Sequence, residues 1–115
     1  MDLFTPYPSF MQSLNRRLDR RVPVEVFVNQ YVDGVPTMCN TLDISWSGML
    51  VKHLREPPDL AMFAIEFGLP EREGALWAFA RPVWQMGKLQ ALRIVGMDSD
   101  DNRVFARFLS EHRAA

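Results

Sequence analysis

The chain has 115 residues, 48% of them apolar and 23% charged, with a formal net charge of −1. That length suits one domain with one modest core, burying about 65% of the unfolded surface. The near-zero charge argues against a general polyanion binder, which needs many spread phosphate contacts; a lone cysteine, Cys39, excludes an internal disulfide and a four-cysteine metal site.

Residues 1–14 are an apolar N-terminal segment carrying Leu3, Phe4, Tyr7, Phe10 and Met11. Pro6 and Pro8 block regular structure early in it. The segment is expected to be flexible or short-helical, with 9–20 as the candidate helix, and to pack on the domain or dock a partner. It lacks the basic start and apolar centre of a signal peptide. No apolar run approaches the roughly 20 residues that span a bilayer. With no disulfide framework, a reducing compartment is expected, hence a cytoplasmic protein without membrane insertion.

Residues 15–115 form the expected domain. They begin with NRRLDRR, in which Arg16, Arg17, Arg20 and Arg21 stand against one acid, Asp19. The local net charge of +3 leaves −4 for the remainder, so a cationic patch sits on a mildly acidic body. From Val22 the pattern has period two: Val22, Val24, Val26 and Val28 share one face of a first strand. Asp33-Gly34 signals a hairpin turn. Residues 37–44 read as a second strand, Ser47-Gly48 as a tight turn or bulge, and 49–54 as a third strand that ends before Pro57-Pro58. Residues 60–67 read as a fourth, with Phe63, Ile65 and Phe67 on one side, and 68–74 as a loop. Residues 75–85 are a fifth strand, in which Pro82 argues for a bulge or an edge. Gly87 turns the chain into a sixth, 88–95.

The period then changes. Val104, Phe105, Phe108 and Leu109 form the apolar stripe of a helix, with Ser99 or Asp100 as its cap, Asp101 in the first turn, and His112 and Arg113 in the last. Six strands at hairpin spacings and a closing helix describe an antiparallel barrel or sandwich with a C-terminal helix.

Two constellations carry chemistry. Arg16-Arg17-x-x-x-Arg21 offers planar, permanently charged guanidinium groups that fork onto phosphate, grip the O6 and N7 edge of guanine, and stack on bases. Asp43-Ile44-Ser45-Trp46-Ser47-Gly48 places a carboxylate and a hydroxyl two residues apart, on one strand face, before a glycine that permits positive φ or close approach of a ligand. The carboxylate suits guanine N1–H and N2–H. Each has an ordinary structural alternative: a solvated charge run, and an Asx- or Ser-stabilised turn. Secondary candidates are Arg20, Trp46, which either stacks near a ligand or packs in the core, and Arg81, which could reach the same site from the fifth strand. Trp77 and Trp84 read as core. His53 and His112 have no zinc-like spacing, and Cys39 reads as a buried hydrophobe. No catalytic set and no metal site stands out.

Taken together, R-R-x-x-x-R running into R-V-P, with D-x-S-x-x-G beginning 22 residues after Arg21, resembles the PilZ domain family. The resemblance spans roughly 15–113. It implies a six-stranded antiparallel β-barrel with a C-terminal helix, and a non-enzymatic receptor for cyclic di-GMP that needs no cofactor. It further implies a clamp of Arg16, Arg17 and Arg21, facing a wall of Asp43, Ser45 and Gly48. Val22-Pro23 favours Arg17 and Arg21 as the motif pair, and Arg16 before them goes with a stacked pair of ligand molecules per chain. The output is expected to run through an unknown protein partner, in motility, biofilm or secretion, from a monomer or weak homodimer. Two other readings stay open: a ligand-independent PilZ-like adaptor for motility machinery, and a small barrel that binds single-stranded nucleic acid.

Overall fold

Runs of alternating apolar residues, separated by turn-forming dipeptides, become six strands. The computed structural model describes residues 20–57 and 59–112; Arg16, Arg17, the candidate helix at 9–20 up to Asp19, Pro58 and Arg113 lie outside them. The strands are β1 (Phe27–Val32), β2 (Val35–Ile44), β3 (Gly48–His53), β4 (Phe63–Phe67), β5 (Leu76–Met86) and β6 (Leu89–Met97), followed by helix α1 (Ser99–His112). All neighbours are antiparallel, in the order β1-β2-β3-β6-β5-β4, and β1 pairs with β4 to close the barrel. The expected barrel is therefore the observed one. Closure also leaves no free sheet edge to template aggregation.

The hairpin at Asp33-Gly34 needs two residues with positive φ, and they have φ of 52° and 80°. Inward positions fill the core: Val28, Cys39, Ile44, Met49, Val51, Phe63, Ile65, Phe67, Leu76, Ala78, Ala80 and Leu92 are all buried. Each large one contributes about 1.5–3 kcal/mol relative to exposure. Helix α1 closes one end of the barrel. Phe105 stacks at 6.0 Å on Trp46 and meets Phe67 edge-on at 5.6 Å. Asp101 Oδ2 accepts the Trp77 amide at 3.1 Å, fixing the start of the helix to the start of β5.

The far end is sealed by polar side chains. Gln90 Oε1 accepts from Gln30 Nε2 and from His53 Nε2, each at 2.8 Å, and Gln90 Nε2 donates to Gln85 Oε1 at 3.2 Å. That network assigns the His53 proton to Nε2 and leaves Nδ1 buried without a partner. Burial lowers the His53 pKa against the opposing effect of the Gln90 bond.

Several expectations need correction. The ladder of the first strand starts at Phe27, and Val22 is an isolated bridge to Ile44. The Thr41 side chain takes the place of regular pairing there: its hydroxyl accepts from the Val26 amide at 2.9 Å and donates to the Val24 carbonyl at 2.6 Å. Pro23 offers no amide at all. The fourth strand starts at Phe63, not residue 60. The helix cap is Asp98, whose carboxylate accepts the amides of Asp100 and Asp101 at 3.4 and 3.2 Å. Trp77 and Trp84 are 45% and 47% exposed and do not belong to the core: in β5 the small Ala78 and Ala80 take the inward positions. Pro82 marks a bulge, where the register shifts between Pro82 and Trp84.

Among the described residues, no helix is long and apolar enough to cross a membrane, and no cluster of three or more His, Cys, Asp or Glu side chains could hold a metal ion.

Candidate functional site

The two sequence motifs meet at the helix end of the barrel. A two-way bridge carries them together: the Val22 amide donates to the Ile44 carbonyl at 2.7 Å, and the Ile44 amide to the Val22 carbonyl at 3.0 Å. The residues beside that bridge are Arg21 and Asp43. Arg21 Nη1 donates to Asp43 Oδ1 at 3.0 Å, across 22 residues of sequence. The arginine side chain is 55% exposed and the carboxylate 24%, so the pair is solvent-screened and worth at most about 1 kcal/mol in stability. Its consequence is positional. It holds the last arginine of the first motif against the first acid of the second.

Thr41 sets this geometry from behind. Its two hydroxyl bonds and its amide bond to the Val26 carbonyl at 2.9 Å lock residues 24–26 alongside β2. A register shift between Thr41 and Asp43 in the β2–β3 ladder follows, with Leu42 exposed. Thr41 carries no charge and falls in a period-two run, so only its burial beside a proline-interrupted strand reveals its role.

Ser45 and Gly48 occupy the turn between β2 and β3. Ser45 is buried; its amide donates to the Gly48 carbonyl at 2.7 Å, and its Oγ lies 3.3 Å from the same oxygen. Ser45 Oγ is also 3.4 Å from Ser47 Oγ. The hydroxyl thus braces the turn. Gly48 does not use positive φ. A β-carbon built on it would lie 1.9 Å from the Leu92 carbonyl oxygen, so glycine is required because β3 and β6 approach closely. The adjoining bond from the Ile94 amide to the Ser47 carbonyl, at 2.7 Å, ties the turn to β6.

Two rows of residues run outward from the motif across the barrel wall. One is Gly48, Arg93, Arg81; the next is Asp43, Leu50, Ala91, Trp84. Arg81 therefore sits two strands from Gly48, on the same wall, with Arg93 between them. Arg93 carries no signal in the sequence, because an arginine in a strand is an ordinary solvated residue until the register shows its neighbours. Trp46 turns to the helix, half-buried against Phe105. Arg20 is exposed where the described chain begins. Arg16 and Arg17 are outside the described residues, so of the three arginines expected to form a clamp only Arg21 is placed.

The described part of the site combines Arg21, a carboxylate at the end of β2 and the neutral side chains of Leu50 and Ala91 beside it in the ladder. Among the described residues it pairs no nucleophile with a base. Cys39 is remote and buried, which pushes its thiol pKa up to about 12. His53 belongs to the far-end network. Such an arrangement is suited to holding an anionic, hydrogen-bonding ligand.

No family model matches the chain, and no curated protein matches it. Among solved structures it is similar to the PilZ domain of CeSA from a cellulose synthesizing bacterium. The identity is 18%, the match covers 80% of this chain and 96% of that one, and the TM-score is 0.62. The likeness is one of fold: this chain has a PilZ-like fold.

Proposed function

We propose that the chain is a receptor for cyclic di-GMP, not an enzyme, and that it signals through a protein partner. The observation that carries this reading is the junction of the two motifs. Arg21 and Asp43, 22 residues apart, are brought to 3.0 Å by the Val22–Ile44 bridge on a PilZ-like barrel.

The chemistry follows from the residues. Asp43 is an acceptor for the N1–H and N2–H edge of guanine. Arg16, Arg17 and Arg21 supply forks for phosphate and for guanine O6 and N7, each good bidentate contact being worth about 1–3 kcal/mol. A micromolar site requires about 8 kcal/mol net, which three arginines, one carboxylate and base stacking supply after the costs of association. Ser45 and Gly48 act by shaping the turn that presents Asp43. Arg21 exchanges its bond with Asp43 for ligand contacts, so binding frees the carboxylate for the guanine edge. Arg16 before the motif pair supports a stacked pair of ligand molecules per chain.

Calorimetric titration of cyclic di-GMP into wild type and Arg17→Ala, with GTP as control, tests the reading. Micromolar or tighter binding, weakened at least tenfold by the substitution, is expected. No heat with a folded, nucleotide-free sample refutes it.

One observation favours the ligand-independent adaptor as a second reading. Phe27, Met38 and Phe79 are more than half exposed, and Trp77 nearly so, on the outer faces of β1, β2 and β5, with Asn29 and Glu66 between Met38 and Trp77; large apolar side chains set among polar ones in this way suit a protein partner. That adaptor retains full partner binding when Arg17 and Asp43 are replaced.

A further inference from the structure

Arg93 of β6 lies directly opposite Gly48 of β3 on one side and Arg81 of β5 on the other. Residues opposed in antiparallel strands hold their β-carbons about 5 Å apart. Both side chains are exposed on the outer wall, so two guanidinium groups stand side by side on a rigid ladder. Neither makes an ion pair or hydrogen bond among the described residues. In the adjacent row the only charged side chain is Asp43, and Arg21 already faces it. The remaining outer-wall carboxylate nearby in the ladder, Glu66 of β4, accepts from Asn29 and Tyr31. Like charges opposed across a ladder destabilise it, and nothing described in the fold compensates this pair.

A phosphate would. Two adjacent guanidinium forks match its oxygens bidentately, and its charge cancels their repulsion. Arginines borne on strands need no ordering of the backbone when they bind. We infer that Arg93, together with Arg81, binds a phosphate of the nucleotide from the barrel wall beside Gly48. This inference rests on the cyclic di-GMP reading. It extends the site across β3, β6 and β5, and it names Arg93 as a ligand contact that neither motif contains.

The test is titration of cyclic di-GMP into wild type, Arg93→Gln, Arg81→Gln and the double variant, with thermal unfolding of each ligand-free protein. Each single change is expected to weaken binding about tenfold, the size of one charge-assisted contact, while the ligand-free unfolding midpoint stays level or rises as the repulsion is removed. Wild-type affinity in the double variant overturns the inference and leaves the receptor reading standing. Weaker binding accompanied by a lower unfolding midpoint also overturns it, since the arginines would then be structural. Absence of binding by wild type overturns the receptor reading and this inference with it.

Discussion

Replacing Gly48 with alanine separates structural from ligand-facing reasons for a motif glycine. The new β-carbon would sit 1.9 Å from the Leu92 carbonyl oxygen and 3.0 Å from its carbon. Both neighbours are backbone, so no side-chain rotation relieves the overlap. Reaching an ordinary contact of 3.4 Å requires the strands to part by about 1.5 Å. Overpacking of that kind costs about 1–3 kcal/mol. The movement also strains two bonds of the turn, Ile94 amide to Ser47 carbonyl and Ser45 amide to Gly48 carbonyl, both 2.7 Å; each is worth about 1 kcal/mol. The expected destabilisation is about 3 kcal/mol, a fall of roughly 10 °C in Tm for a domain of this size. Urea unfolding followed by far-UV circular dichroism measures it, and an unchanged slope shows that the same surface unfolds. A loss below about 0.5 kcal/mol, the range of an unconstrained surface site, would refute the argument that close approach of β3 and β6 demands glycine.

Thr41→Val keeps the shape and removes the hydroxyl that serves the Val26 amide and the Val24 carbonyl; a loss of about 1–3 kcal/mol is expected, with faster amide exchange at Val22 and Val26. For His53 the pKa lies below its ordinary value of 6.5 in the folded chain. Above pH 6.5 both folded and unfolded states hold the ring neutral and no effect appears. As the pH falls below 6.5, the unfolded state binds the proton first and stability declines, with a limiting slope of about 1.4 kcal/mol per pH unit until the folded pKa is reached. Unfolding free energies at pH 7.5 and 5.0 should show this decline in wild type and a shallower one in His53→Gln. Cys39, with its thiol pKa pushed up to about 12 by burial, is expected to react with an aromatic disulfide reagent at neutral pH only at the rate of protein opening; prompt reaction of the native protein would contradict its burial.

Much of the barrel was legible because its inward residues alternate plainly. Phe63, Ile65 and Phe67 are all buried as their spacing requires, and Asp33-Gly34 made the turn its chemistry favours. The departures from plain patterning share one cause: side chains whose neighbours come from distant strands. Gln30 and Gln90 are polar yet point inward, because His53 on β3 meets them there. Trp77 and Trp84 are aromatic yet point outward, because alanines occupy the tapered interior of β5. At the site, the D-x-S-x-x-G spacing located the turn, but the reason for its glycine lies in Leu92, on a strand 44 residues away. Thr41 and Arg93 were not legible, since one acts through backbone groups of another segment and the other through a cross-strand neighbour.

The most direct measurement is a backbone amide NMR titration of the chain with cyclic di-GMP. The account predicts shifts concentrated at Arg20 to Val22, at Asp43 to Leu50, and at Arg81 and Arg93, with the far-end residues Gln30, His53 and Gln90 unmoved. Saturating ligand that leaves Arg21 and Asp43 unperturbed, or that moves only the apolar face around Phe27 and Phe79, would contradict it.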